Sequence, residues 1–289
     1  MFRYSAFGFT IHSELELPEL PLGGDSPDVV IRIGTLPQVE ARVTMDEHRA
    51  FNTFAGAFRI VKGQQIIVDP LQGGDIAALR TVLTGRLMAF LLRQRGWLPL
   101  HASGVVIEGR VVLFLGASGS GKSTTAAAFY AHGYQTVTDD VAPVRVAAGK
   151  CLLRPAGSRL RLLDDSRAAF RAKEPDAPEP PAQFQWDKQV FDVTRGKLNT
   201  LLAVERIYVL EYGEDFGCER ISPVQAVPLL GKNSFARHHQ MTRPALEAHL
   251  RMCSRVAETV AISRLMRVKS LDTLATLVRY VEGDLGRND

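Results

Sequence analysis

Val111-Val112-Leu113-Phe114-Leu115-Gly116-Ala117-Ser118-Gly119-Ser120-Gly121-Lys122-Ser123-Thr124 is the stretch on which the reading of the whole chain turns. Five apolar residues in a row predict a buried strand, and a glycine-rich run follows at once. From Thr124 to His132 the pattern is helical, and Gly133 ends it. Gly116 to Ser123 satisfies G-x-x-x-x-G-K-[ST] in full, in the strand–loop–helix context that gives the motif its meaning. Glycines let consecutive backbone N–H groups turn inward around phosphate oxygens, and the helix N-terminus adds its positive dipole. Lys122 supplies a point charge to the β- and γ-phosphates, and the Ser123 hydroxyl is a ligand for Mg²⁺. The predicted binding set is Gly116, Ala117, Ser118, Gly119, Ser120, Gly121, Lys122, Ser123 and Thr124, and the predicted ligand is a nucleoside triphosphate or a similar polyphosphate.

Downstream, Tyr134 to Asp140 reads as the next strand, ending in Asp139-Asp140, which begins 17 residues after Lys122. An Asp-Asp pair is often a solvated turn. At the C-terminal end of a strand beside a phosphate loop, however, it lies where α/β sheets place ligands. Two adjacent carboxylates divide labour there, one holding Mg²⁺ and the other taking a proton from an incoming hydroxyl. Upstream, His101 sits in Leu98-Pro99-Leu100-His101-Ala102-Ser103-Gly104, on a strand that Glu108-Gly109-Arg110 joins by a hairpin to the phosphate-loop strand. That neighbour brings an imidazole towards the phosphates, although a lone histidine is more often a hydrogen-bonded structural residue.

Further outward, residues 1–74 read as β-rich, with Lys62-Gly63-Gln64 as a hairpin turn between Phe58–Val61 and Gln65–Val68. Asp75 is an N-cap for a helix to about Arg95, with Leu79, Val82, Leu83, Leu87, Phe90 and Leu91 at helical spacing and Gly96 as its stop. Leu201 to Tyr212 reads as a strand, and 223–231, 242–258 and 270–283 as helices. Residues 172–188, rich in Pro, Ala and acid, read as a long loop, a lid or a linker. The predicted fold class is α/β: a P-loop domain over 97–289, preceded over 1–96 by a smaller β-rich region ending in a helix. Asp164-Asp165 reads as a helix cap. Arg154, Arg159 and Arg161 read as a solvated strand face ahead of a phosphate or acceptor contact, and Arg237-His238-His239 with Arg243 as surface charge ahead of a site for a peptide carboxylate.

Composition narrows the function. The 289 residues are 46% hydrophobic and carry 35 basic against 31 acidic side chains, a net +4. That is a mild excess, unlike the dense basic stripe of a nucleic-acid binder, so no nucleic-acid partner is expected. Cys151, Cys218 and Cys253 are too few and scattered for a disulfide framework or a zinc site, and read as reduced thiols. The N-terminus meets Glu14 and Glu16 before any long apolar run forms, and the most apolar stretch, Val105 to Ala117, is broken by Glu108 and Arg110, so neither a signal peptide nor membrane association is expected and the expected location is cytoplasmic.

The series Leu100-His101-Ala102-Ser103, Gly116 to Thr124 and Thr138-Asp139-Asp140 resembles the catalytic core of HPr kinase/phosphorylase and its HprK-like relatives. The match covers about residues 97–146 well and the chain beyond more loosely. The resemblance implies a fold of the HPr kinase and phosphoenolpyruvate carboxykinase type, with ATP and Mg²⁺ as cofactors. It implies Asp140 as the base that deprotonates an acceptor serine, His101 as its assistant, Asp139 and Ser123 as metal ligands and Lys122 as the phosphate binder. Which carboxylate is base and which is ligand stays open. Gln94 to Ser103, with the β-rich N-terminal part, resembles a subgroup found with lasso-peptide biosynthesis proteins, some members of which phosphorylate a precursor peptide. The signature L-E-x-R-G-x-G of genuine HPr kinases is absent downstream of the Asp pair. The expected activity is therefore forward transfer to a serine of a peptide or small protein, by a homo-oligomer if the hexameric habit of HPr kinases extends to it. HPr(Ser) kinase/phosphorylase, small-molecule kinase and nucleotide-gated regulator stand as alternatives.

Overall fold

The structure, a computed structural model, describes residues 1–37, 40–156, 159–162, 189–192, 200–236 and 238–286. Met1–Pro99 and Ser234–Met252 form one unit. The other begins at Leu100, runs to Asn233 and resumes at Cys253. The sequence reading of 1–96 and 97–289 contains no equivalent of the Ser234–Met252 return.

The first unit is built on β1 (Phe2–Ala6), β2 (Phe9–Ser13), β3 (Val29–Ile33), β4 (Arg42–Val43), β5 (Glu47–Asn52), β6 (Gly56–Val61) and β7 (Gln65–Pro70), in the order β1-β2-β3-β7-β6-β5-β4. Period-2 burial along β6 shows one face turned to the core, with Phe58 and Ile60 buried. Lys62 and Gly63 take φ of 50° and 61° in the β6–β7 turn, the left-handed pair that lets a tight hairpin follow the strand twist.

Asp75 caps the helix as its sequence predicts, its side chain accepting from the Ala77 N–H at 2.7 Å, and Gly96 beyond the far end has φ 76°. Between α1 (Ile76–Val82) and α2 (Met88–Gln94) lies a π turn, Leu83–Leu87, inside the predicted helix. It leaves Leu79, Leu83, Leu87, Phe90 and Leu91 buried, so the apolar periodicity carries no sign of it.

In the second unit, β8 (Leu98–Ile107) and β9 (Arg110–Leu115) form an antiparallel hairpin through Glu108 and Gly109, both at positive φ. After α3 (Lys122–Ala131) come β10 (Gln135–Ala147), β11 (Lys150–Leu153), the separate pair β12 (Arg159–Leu162) and β13 (Gln189–Asp192), β14 (Leu202–Tyr212) and β15 (Gly217–Arg220). The helices α4 (Pro223–Lys232), α5 (Arg243–Thr259), which belongs to the first unit up to Met252, and α6 (Leu274–Gly286) match the three predicted; β16 (Ala261–Arg267), a strand unforeseen in the sequence, lies between the last two. The sheet order is β11-β10-β8-β9-β14-β16-β15, and β11 also pairs with the start of β14, so five strands close on themselves. β14 is parallel to both β9 and β16, which brings the C-terminal ends of three strands to one edge.

The core beneath that edge holds together the strand and the helix that flank the glycine-rich loop. Phe114 of β9 is fully buried against Phe129 of α3 and Tyr208 of β14, with ring centroids 5.4 and 6.0 Å away. Leu277, Val278 and Val281 of α6 belong to the same cluster. The mixed α/β architecture of the sequence reading is present. Among the described residues, no helix is long and apolar enough to cross a membrane, and Cys151, Cys218 and Cys253 form no disulfide.

Because Phe114 joins strand, helix and neighbouring strand, Phe114→Ala should lower the unfolding free energy by about 3–5 kcal/mol, through lost burial and an unfilled cavity. Urea unfolding followed by circular dichroism measures it. A loss below about 1 kcal/mol would contradict this packing.

Candidate active site

At the end of β9 the buried run stops and Gly116 turns the chain, with φ 151°. A Cβ at Gly116 would lie 2.5 Å from Ser120 Oγ, so the loop closes on itself only with glycine there. Gly121, at φ 79°, is the N-cap of α3, and the Thr125 N–H donates to its carbonyl at 2.8 Å. The positive end of a ten-residue helix thus opens at the loop. Lys122 is 7% exposed, and its Nζ donates to the carbonyls of Gly116 at 2.9 Å and Ala117 at 3.1 Å. Its charge is held inside the curve of the loop.

The Asp pair is placed differently from the sequence reading. It lies within β10, which continues past Asp140 to Ala147 because Val144 to Ala147 pair with β11. The strand bends at the pair instead of ending. Asp140 has φ 84°, a left-handed conformation costing about 1–3 kcal/mol in a residue with a side chain, and Thr138 Oγ1 closes the bend by donating to the Val141 carbonyl at 2.5 Å. The two carboxylates are aimed at different partners. Asp139 Oδ1 accepts from Ser123 Oγ at 2.9 Å and from Ser103 Oγ. Asp140 Oδ1 lies 3.1 Å from His101 Nε2, with His101 41% and Asp140 26% exposed at the side chain.

His101 lies inside β8. The register Ala102↔Leu115 sets His101 level with Gly116, the first residue of the loop. Its backbone N–H donates to the carbonyl of Asn233 at 2.7 Å, and Asn233 caps the C-terminal end of α4, its Nδ2 donating to the Leu229 carbonyl at 2.9 Å. The structure therefore brings together His101, Lys122, Ser123, Asp139 and Asp140. Ser103 and Asn233 join them without any role foreseen in the sequence, although Ser103 stands in the same short segment as His101.

On the other side of the loop, Tyr212 ends β14 and Arg267 ends β16, paired across the two parallel strands. Tyr212 Oη donates to the Gly119 carbonyl at 3.1 Å, and Arg267 Nη2 donates to the Ser120 carbonyl at 2.6 Å. A Cβ on Gly121 would meet that guanidinium at 2.1 Å, so the arginine occupies space that glycine leaves open. Holding these carbonyls outward favours N–H groups turned inward, which is the conformation an anion needs. Nothing local in the sequence signals either residue.

Two oxygen donors, Ser123 Oγ and Asp139 Oδ1, stand 2.9 Å apart. Among the described residues no group of three or more His, Cys, Asp or Glu side chains gathers as a metal site. The hydroxyl–carboxylate pair fits Mg²⁺, which takes one or two protein ligands and fills its octahedron with waters and phosphate oxygens. It fits neither zinc nor a calcium cage.

The loop 172–188, Asp164-Asp165, Arg237 and the side chains of Arg159 and Arg161 lie outside the described residues. Arg243 pairs with Glu247 at 2.9 Å on an exposed helix face, in keeping with surface charge.

No protein-family model matches the chain, and no curated protein matches it. Among solved structures, the HPr(Ser) kinase/phosphatase from Coxiella burnetii aligns over 65% of this chain and 92% of its own, with 14% identity and a TM-score of 0.36. A likeness of that degree assigns neither an activity nor a substrate to this chain.

Proposed function

We propose that this chain is a Mg²⁺-dependent kinase that transfers the γ-phosphoryl group of ATP to a serine hydroxyl of a peptide or small protein, and that it works in the cytoplasm. The observation that carries the reading is the separation of partners at the Asp pair. Asp139 faces the first turn of the phosphate-loop helix through Ser123, while Asp140 faces His101. A regulator that only senses nucleotide needs no second carboxylate beside the phosphates.

The loop N–H groups and the α3 N-terminus hold the β- and γ-phosphates, with Lys122 adding charge as its Nζ moves from loop carbonyls to phosphate oxygens. Ser123 and Asp139 hold Mg²⁺, which when bound neutralises charge building on the transferred group. Asp140 accepts the proton of the acceptor hydroxyl. The hydroxyl oxygen bonds to the γ-phosphorus, the bond from that phosphorus to the β–γ bridging oxygen breaks, and ADP leaves with the electron pair. His101, in the tautomer that carries hydrogen on Nε2, donates to Asp140 Oδ1 and holds that carboxylate in place. The bend at Asp140 fixes the direction of that carboxylate.

The acceptor is the finer part of the proposal. A serine on a precursor peptide of the lasso type is favoured over HPr by the missing L-E-x-R-G-x-G signature.

Asp140→Asn should lower transfer about 10²–10⁴-fold, the usual loss for a general base, with MgATP binding retained. Asp139→Asn should instead raise the Mg²⁺ concentration needed for half-maximal rate. Incubation with MgATP and a serine-containing precursor peptide or HPr, read by intact mass, measures both. Undiminished transfer by Asp140→Asn would remove Asp140 as the base, and phosphate gained on HPr but not on the peptide would reverse the acceptor assignment.

A further inference from the structure

We infer that the exposed ring of Tyr212, backed by Arg267, is the platform on which the purine base of the bound nucleotide stacks. This rests on the phosphate-loop reading above and adds a subsite to it. The direction of the bound triphosphate is the first indication. Of the groups assigned to the terminal phosphate, the metal and the proton, His101, Asp139 and Asp140 come from β8 and β10, on one side of β9, and Lys122 and Ser123 from the first turn of α3. A triphosphate with its γ end there directs its nucleoside end away from them, towards the other flank of β9. That flank is formed by β14 and β16, whose C-terminal residues are Tyr212 and Arg267.

The residues on that flank have the chemistry of a base site. Tyr212 is 44% exposed at a strand end on the ligand-bearing edge, beside the middle of the loop to which its hydroxyl is bonded. The Arg267 guanidinium lies 4.7 Å from the ring centroid and is itself 5% exposed, so one side of the ring is backed by buried charge. Burial lowers the Arg267 pKa, and Tyr212 counters it. Arg267 Nε is buried without a hydrogen-bond partner among the described residues. A buried cation that meets, among the described residues, a backbone carbonyl and an aromatic ring favours an anion nearby. Lys269, exposed and 5.5 Å from the same ring, adds a second cation at that edge. An aromatic face flanked by cations next to a phosphate loop suits a nucleotide better than a bare polyphosphate, since base–aromatic stacking is sequence-tolerant and cations strengthen it.

The test compares Mg²⁺-ATP with Mg²⁺-tripolyphosphate, which shares the phosphates and lacks the nucleoside, by isothermal titration calorimetry. The wild-type chain should bind ATP more tightly than tripolyphosphate. Tyr212→Phe loses the hydroxyl bond to Gly119 but keeps the ring, so both ligands weaken alike and their affinity ratio survives. Tyr212→Ala and Tyr212→Leu remove the ring, and the ratio should collapse by about 5- to 100-fold, the range of one lost base stack. The leucine variant keeps bulk at the strand end, should the alanine variant fold poorly. An unchanged ratio in the ring-less variants would overturn the platform while leaving the phosphate loop intact. Failure of the wild-type chain to bind either ligand would overturn the phosphate-loop reading, and the platform with it.

Discussion

Asp139 accepts hydrogen bonds from two hydroxyls, Ser103 on β8 and Ser123 in the first turn of α3. Through that one carboxylate, the strand that carries His101, the strand that carries the Asp pair and the helix that carries Lys122 are held at fixed separations. A hydrogen bond to an ionised carboxylate contributes about 1.5–3 kcal/mol, roughly twice a neutral one. The two together offset a backbone strain of about 1–3 kcal/mol at the adjoining Asp140. The remainder of the site depends on this junction. His101 meets Asp140 only because β8 and β10 are neighbours, and Asp140 turns towards His101 only because β10 bends between Thr138 and Val141.

The opposite flank of the loop is organised by a different kind of contact. There, side chains at the ends of two parallel strands hold backbone carbonyls of Gly119 and Ser120, and a glycine makes room for a guanidinium. Carboxylates and hydroxyls gather on the side of β8 and β10, and an aromatic ring with cations on the side of β14 and β16. This polarity gives the edge a direction, with the proposed metal and proton chemistry at one end and the proposed base platform at the other.

The features legible in the sequence are those encoded locally. The apolar run Val111 to Leu115, the full glycine motif and the following helix are contiguous, and so is the Asp75 cap with its Gly96 stop. The features not legible depend on distant partners. Arg267 meets Ser120 across 147 residues, and its strand, AISRLMR, mixes charge with apolar residues without a run long enough to stand out. Two acids in succession suggest the end of a strand after Thr138. Pairing with β11 carries β10 through them, because their side chains find hydroxyls and an imidazole as partners. The π turn at Leu83–Leu87 is silent for a third reason, since its apolar residues stay buried through it. The stretch 242–258 reads as a helix in sequence, but nothing local tells which unit Ser234–Met252 joins.

Central to the proposed chemistry is a metal held by Ser123 and Asp139 beside phosphates bound by the loop. Titration of ATP into the protein by calorimetry, with Mg²⁺ and then with the metal chelated, tests it most directly. The expected result is one site per chain, tightened at least tenfold by Mg²⁺ (about 1.4 kcal/mol), with the gain lost in Ser123→Ala. ATP affinity indifferent to Mg²⁺, or a Mg²⁺ gain that persists in Ser123→Ala, would contradict it.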